Sequence, residues 1–454
     1  MKFFLYPTLQ LLAHMRQPKL AARLLAMSAR PLPGYARLSK TDHIRLLVLN
    51  LNKPGFQEDI DASFLSDNSF QLFSWPNYAL KALASVLLAP QLNNKRYASD
   101  DSVIEASKQG YREFLSTMWA HFRKVKPTDA VISANFGYFA QREFGAALKQ
   151  AGTPLIVLHK ENVKSPDRVK YWDPIYRTRG SFEGSKILVY NETERSLQIE
   201  TGVAEPDQIV VTGMPRLDRI HGWRLSHTGA HNGPAPPTVL LFSFWRKEKL
   251  TATERVTADR IRVDDADDEW SGLSWNELCE QTHRAIVEVA RRRPDAQVVI
   301  KTKAHSRRVE DVLEILTESG TDLPPNLKLV SGGDPFPLIK ESSVVVGFNT
   351  TALLEALAAG KPVIVPNFAE ATDERMRPLV IEVGSAAARP QSQEELIEMI
   401  CACLDAPTTS SPNISANVEQ ALRYWVGNDD GAAGKRVRQA VMVEIKHHQD
   451  IQRD

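Results

Sequence analysis

The chain has 454 residues, 56 Lys and Arg against 55 Asp and Glu for a net charge of +1, and 43% hydrophobic residues. That length fits two domains better than one core. The near-neutral balance gives nucleic acid no support as a partner, and no run approaches the roughly 20 apolar residues of a membrane-spanning helix. Three cysteines, Cys279, Cys401 and Cys403, form neither a disulfide framework nor a zinc spacing, which points to a reducing, cytoplasmic setting.

Residues 1–42 stand apart. Between Met1 and Lys40 there is no acidic residue, whereas Lys2, Arg16, Lys19, Arg23, Arg30, Arg37 and Lys40 are basic and alternate with Phe, Leu and Met. Such a basic amphipathic segment can lie on an anionic membrane surface, or pack as a helix on its own domain. Pro7, Gln10 and His14 interrupt the apolar run that a signal peptide would need.

Residues 43–225 read as a first domain. His43–Asn52 predicts a strand, Lys53–Asp101 an irregular polar stretch with aromatic punctuation, and Val103–Lys124 a helix. From Asp129 to Met214 short apolar runs alternate with helical patterns, the signature of a parallel sheet with crossover helices. Residues 226–237, rich in Gly, Pro and His, predict a linker. A second α/β domain follows over 238–425. Its acidic stretch, RVDDADDEW within residues 251–272, reads as a solvated insertion rather than a metal site. Residues 426–454 predict a terminal helix. Two similar halves around one linker imply a cleft between them.

The second half is organised around residues 343–366, SVVVGFNTTALLEALAAGKPVIVP. Two β-branched runs joined by a helix make a βαβ unit whose strands are apolar on both faces. In open α/β sheets a ligand belongs at the strand-to-helix turn, where helix N–H groups meet an anion. Asn349, Thr350 and Thr351 occupy that turn. Glu355 follows Thr351 by four residues and so shares its helix face. This pattern suits a nucleoside phosphate, with the threonines on phosphate and Glu355 on ribose; an ordinary capped helix with a solvated glutamate would read the same way.

Three further stretches carry candidate chemistry. In VVIKTKAH the period of two sets Lys301, Lys303 and His305 on one side as the chain leaves a strand, a site for phosphates. FSFWRKEK offers Arg246 for a diphosphate. In the first half, LIVLHKEN ends a buried strand with His159, Lys160 and Glu161, where titratable groups are candidates for general base or nucleophile. Glu161 leads, with His159 second. In GMPRLD, Arg216 either contacts phosphate or pairs with Asp218.

Taken together, VVTGMPRLD, VVIKTKAH, GFNTTALLEALAAGKPVIVP and DDGAAGKRV resemble the GT-B type nucleotide-sugar enzymes over residues 125–445. The likeness points to the bacterial capsule and lipopolysaccharide transferases, including Kdo transferases, and to CDP-glycerol glycerophosphotransferases. It implies two Rossmann-like domains with an interdomain cleft, donor binding in the second domain and a final helix that crosses back to the first. By the same resemblance Glu355 meets the ribose and His305 the donor phosphate. The implied activity is metal-independent transfer, without a cofactor, from a CMP-, CDP- or UDP-linked sugar or polyol to a lipid-linked glycan, by a protein in contact with the inner face of the membrane.

A second likeness is to UDP-GlcNAc 2-epimerases, whose HxEAGLR loop matches His159 and Glu161 but not Asn162, Val163, Lys164 and Ser165. Isomerisation of a nucleotide sugar is therefore the alternative activity, and a non-catalytic nucleotide-sugar-binding assembly subunit is another.

Overall fold

In a computed structural model of the protein the described residues are 2–34, 43–49, 51–53, 55–93, 97–98, 101–160, 162–227, 229–230, 236–246, 273–304, 306–317, 322–406, 409–410 and 413–451. Glu161, His305 and the acidic stretch 251–272 lie outside them. The chain forms two compact units. Unit 1 comprises Met1–Asn162, Trp172–Asp218 and Ala432–Asp454, and unit 2 comprises Val163–Tyr171 and Arg219–Gly431.

The chain opens with α1 (Lys2–His14), α2 (Pro18–Ser28), β1 (Arg30–Pro31), β2 (Ile44–Val48), α3 (Phe56–Phe64), β3 (Phe70–Ser74), α4 (Ala79–Leu87) and α5 (Ser102–Val125). It continues through β4 (Ala130–Ser133), α6 (Phe139–Gln150), β5 (Leu155–Leu158), α7 (Pro166–Arg177), β6 (Lys186–Val189), α8 (Glu192–Glu200) and β7 (Ile209–Val211). The seven strands form one sheet in the order β1-β3-β2-β4-β5-β6-β7. All pairs are parallel except the two-residue edge strand β1. Every residue of β4 and β5 is buried, as expected where helices cover both faces of a parallel sheet.

The irregular stretch expected over Lys53–Asp101 is instead α3, β3 and α4. Phe70, Leu72 and Phe73 are buried as β3 pairs with β2 from Ile44↔Phe70 onward. The adjacent burial of Leu72 and Phe73 breaks the strict alternation by which a half-buried strand is read. α7 also goes unforeseen, because it carries Pro174 and buries only Tyr176.

The chain returns to unit 1 at its end. There the last helix, Ala433–Ile451, sends Val437, Val441 and Ile445 into the core beside Leu46, Val48, Phe56 and Phe64. Its first turn is capped by Asp218, whose carboxylate accepts from Ala433 N at 3.1 Å and Gly434 N at 2.8 Å. A Cβ on Gly434 would collide with the Ala62 carbonyl, so glycine lets the helix approach α3.

The second sheet is built by α9 (Asp218–Ser226), β8 (Gly229–Ala230), β9 (Thr238–Phe242), α10 (Asn276–Arg292), β10 (Gln297–Thr302), α11 (Ser306–Thr317), β11 (Leu327–Ser331) and α12 (Phe336–Glu341). β12 (Val344–Gly347), α13 (Ala352–Ala358), β13 (Val363–Ile364), α14 (Gln393–Asp405), β14 (Thr409–Ser410) and α15 (Ala416–Val426) follow, and the last helix is α16. The five main strands are parallel in the order β11-β10-β9-β12-β13, while β8 and β14 form a separate antiparallel pair. β12, α13 and β13 are the expected βαβ unit, and the helix stops at Gly360 with φ +70°.

The units change hands between Asp218 and Arg219, ahead of the 226–237 stretch. The physical reason is the grip of unit 2 on α9. Arg224 Nε donates to Ala358 O at 2.9 Å, and the His221 ring lies 3.1 Å from Asn428 O.

Candidate active site

Strand order fixes where a ligand would meet unit 2. The sequence runs outward from β9 to β10 and β11, then jumps back to β12, so the crevice at the carboxyl ends of β9 and β12 is a topological switch point. Phe244, Phe348 and Trp275 pack beneath it, with ring centroids 5.2 Å apart for Phe244 and Phe348 and 4.9 Å for Trp275 and Phe348. They give the loops leaving both strands a rigid apolar base.

The predicted residues fall into three groups. Lys301 and Glu355 lie within electrostatic reach of each other. The Lys301 ammonium is largely buried and donates to Gly332 O at 2.6 Å, within electrostatic reach of Asp334 and Glu355. Burial lowers its pKa, and the two carboxylates pull it back up. Asp334 is itself clasped by Arg219, with Nη1 and Nη2 at 2.9 and 2.8 Å. Burial pushes the Asp334 carboxyl up, but Arg219, the Phe336 N–H and Lys301 outweigh it and hold the pKa low.

Arg246 and Lys303 form the second group. They line a small hollow of about 20 Å³ with Trp245, Arg308 and Asp311. Arg246 pairs with Glu280 at 3.1 Å, and the Arg308 guanidinium lies 4.4 Å from the Trp245 ring. Thr302 Oγ1, buried in the same lining, has no hydrogen-bond partner among the described residues.

The third group lies at the turn. Asn349 takes the left-handed conformation, φ +52°, and its buried amide donates to Leu379 O at 3.0 Å and accepts from Ile381 N at 3.1 Å. Asn349 thus anchors the 379–381 backbone. Thr350 Oγ1 accepts from Ala352 N at 3.4 Å, and Thr351 opens α13, which is seven residues long. His305 lies outside the described residues.

Beside this site the structure places a pair that sequence reasoning missed. Ser243 Oγ lies 2.9 Å from His283 Nε2, and His283 Nδ1 lies 2.7 Å from Cys279 O. Burial pushes His283 down to about 4, so the ring is neutral at pH 7. Nδ1–H then donates to the carbonyl, and Nε2 accepts from the serine. No spacing rule signals this contact, because Ser243 leaves a strand and His283 sits 40 positions on, inside α10.

In unit 1 the polar groups that follow β5 and β6 are buried. His159 follows β5 with its side chain 1% exposed and Nε2 3.2 Å from Glu194 Oε1. Glu194 Oε1 also accepts from Tyr176 OH at 2.9 Å and Gln198 Nε2 at 2.7 Å. Lys160 is half-buried, and Glu161 lies outside the described residues. Arg216 pairs with Asp59. Its Nη1 lies 2.9 Å from Asp59 Oδ2, which also accepts from Tyr190 OH at 2.6 Å. Burial raises the Asp59 pKa against the lowering pull of Arg216.

No protein-family model matches the chain, and no curated protein sequence matches it. Solved structures match in fold. A Listeria monocytogenes protein assigned as a UDP-N-acetylglucosamine 2-epimerase superposes with a TM-score of 0.50 at 14% identity, covering 89% of this chain and 97% of that one. UDP-GlcNAc 2-epimerase of Neisseria meningitidis, solved with UDP-GlcNAc, gives 0.48 at 12% identity over 88% and 99%. A UDP-forming trehalose-phosphate synthase of Burkholderia xenovorans gives 0.43 at 11% over 89% and 99%. With its two parallel sheets and the likeness to the Listeria structure, the chain has the GT-B fold of two Rossmann-like domains.

Proposed function

We propose that the chain is an enzyme that binds a nucleotide sugar, with UDP as the nucleotide, at the carboxyl end of the unit 2 sheet. The observation that carries this reading is the juxtaposition of Lys301 and Glu355 beside the β9/β12 switch point. Lys301 supplies positive charge to phosphate, and Glu355 accepts hydrogen bonds from ribose hydroxyls. Arg246 and Lys303 add charge at the neighbouring hollow, and His305, Thr350 and Thr351 complete the phosphate contacts. Their shared task is to stabilise charge on the nucleotide phosphate as the bond to the sugar weakens.

Isomerisation of the bound sugar, as in a UDP-GlcNAc 2-epimerase, is the activity that the structural likeness favours. In this reading Glu161 takes the proton, and His159, held by Glu194, positions the loop. Transfer to an acceptor is the second reading. It is favoured by the burial of His159 against Glu194 and by the missing Ala-Gly-Leu-Arg after Glu161. The acceptor would then be a lipid-linked glycan of bacterial surface polysaccharide synthesis.

Incubation with UDP-GlcNAc and no acceptor separates the two. Epimerised sugar supports isomerisation, and turnover that appears only on addition of a glycan acceptor supports transfer. Glu161→Gln should abolish turnover and leave nucleotide binding intact; an unchanged rate would remove Glu161 from the chemistry. A thermal-shift series with UDP, CDP, CMP and GDP tests the nucleotide, since a ligand that binds only the folded state raises the melting temperature.

A further inference from the structure

The amino-terminal helices carry a surface that nucleotide-sugar chemistry does not explain. Among the described residues, Met27 at 84% and Phe4 at 79% are the most exposed large apolar side chains. Phe4, Leu11 and Met15 are spaced by seven and four along α1, and Leu20 and Met27 by seven along α2, so each set is one outward stripe. The inward faces are satisfied. Leu5, Leu9 and Ala13 are buried where α1 packs on α4, and Ala21, Ala22 and Leu25 where α2 packs on α5. Arg16, Lys19 and Arg23 are exposed alongside the stripes, and the first carboxylate of the chain is Asp42.

A second feature lies next to these helices. A cavity of about 820 Å³ opens at the carboxyl ends of β2 and β3 and is lined from α1 and α2 by Leu5 and Ser28. Its charged lining is Arg30, Lys53 and Lys81, with no carboxylate among the lining residues. Trp75 and Tyr138 contribute aromatic wall, and Lys53 stands 5.0 Å from the Tyr138 ring. Trp75 is 2% exposed, and its Nε1–H has no partner among the described residues.

We propose that this face of unit 1 is a seat for an anionic lipid surface. The two apolar stripes enter the interface, Arg16, Lys19 and Arg23 lie at head-group level, and the cavity accepts lipid phosphate between Arg30, Lys53 and Lys81. Charge decides between occupants. A second copy of the chain would set Arg16, Lys19, Arg23 and the carboxylate-free cavity lining against themselves, whereas an anionic bilayer complements them.

Flotation of the full chain with vesicles tests the proposal, using phosphatidylcholine alone or with about 30% phosphatidylglycerol, a content that gives a negative surface potential. The expected result is binding to the anionic vesicles only, weakened by salt. Phe4→Ser combined with Met27→Ser should lower partitioning by about tenfold or more, since each side chain loses its apolar burial. Lys53→Glu combined with Lys81→Glu should remove the preference for phosphatidylglycerol. The substituted side chains are exposed apart from the half-buried Lys53, and circular dichroism with melting curves confirms folding. Three results would overturn the proposal: no binding to anionic vesicles, binding indifferent to both double variants, or a dimer in solution that Phe4→Ser and Met27→Ser dissociate. Stabilisation by inorganic phosphate without vesicle binding would assign the cavity to a soluble phosphate and equally reject the lipid seat.

Discussion

After β5 and β6 of the unit 1 sheet, buried Tyr176 and Gln198 donate to Glu194 with His159 Nε2 3.2 Å away, and Asp59, Tyr190 and Arg216 bond to one another nearby. At the corresponding end of the unit 2 sheet, Glu355 and Arg246 are half-buried, Lys303 is exposed, and Thr302 Oγ1 has no hydrogen-bond partner among the described residues. Both sheets are doubly wound, so topology offers both ends to a ligand. The side chains separate them. Polar groups that satisfy each other in the interior hold loops in shape, whereas charges partly in water can exchange their partners for a ligand.

The sharpest way to break this contrast is to remove a member of the closed network. Glu194→Ala leaves His159, Tyr176 and Gln198 facing an empty site, and should cost about 3–5 kcal/mol in urea unfolding. A loss below about 1 kcal/mol would mean that the network does not hold the fold. The next effect belongs to unit 2 and to pH. His283 has its folded pKa depressed from 6.5 to about 4, so its neutral form contributes stability above pH 6.5 that is lost as pH falls towards 4. The amount is on the order of 3 kcal/mol. His283→Gln should flatten the fall of melting temperature between pH 6.5 and 4; an unaltered slope would place the titration elsewhere.

Smaller effects are expected from the open end. Glu355→Ala should weaken UDP binding by about 1–3 kcal/mol in calorimetry while unfolding free energy stays within about 0.5 kcal/mol of the parent. The opposite pattern, lost stability with affinity intact, would make the unit 2 cluster structural like that of unit 1. Lys303→Ala should cost the least, about 0.5–1 kcal/mol of UDP affinity, and that increment should shrink at high salt because the side chain is exposed.

What could be read from the sequence follows the same division. The βαβ unit at 343–366 was legible because β-branched runs, a helix and Gly360 all agree locally. The placement of Lys301 near the end of a strand and of Glu355 on the helix after β12 was legible too. The network around His159 was not, because Glu194 reaches it from α8, one strand further along the sheet. Arg216 suggested its neighbour Asp218, yet it bonds Asp59, 157 positions away. Asn349 had the polarity of a ligand contact, but its amide serves the backbone of Leu379 and Ile381, which no local pattern announces. Side-chain partnerships across the fold are set by packing, and a single sequence records only the positions that make them possible.

The return of α16 to unit 1 has a consequence for how the protein is made. Val437, Val441 and Ile445 fill the same core as Leu46 and Phe64, so unit 1 cannot close its interior until α16 has been synthesised. Unit 2, by contrast, is complete in the nascent chain at Gly431. Closure of unit 1 therefore waits on residues made after those of unit 2, the reverse of the usual order in which the earlier domain folds first.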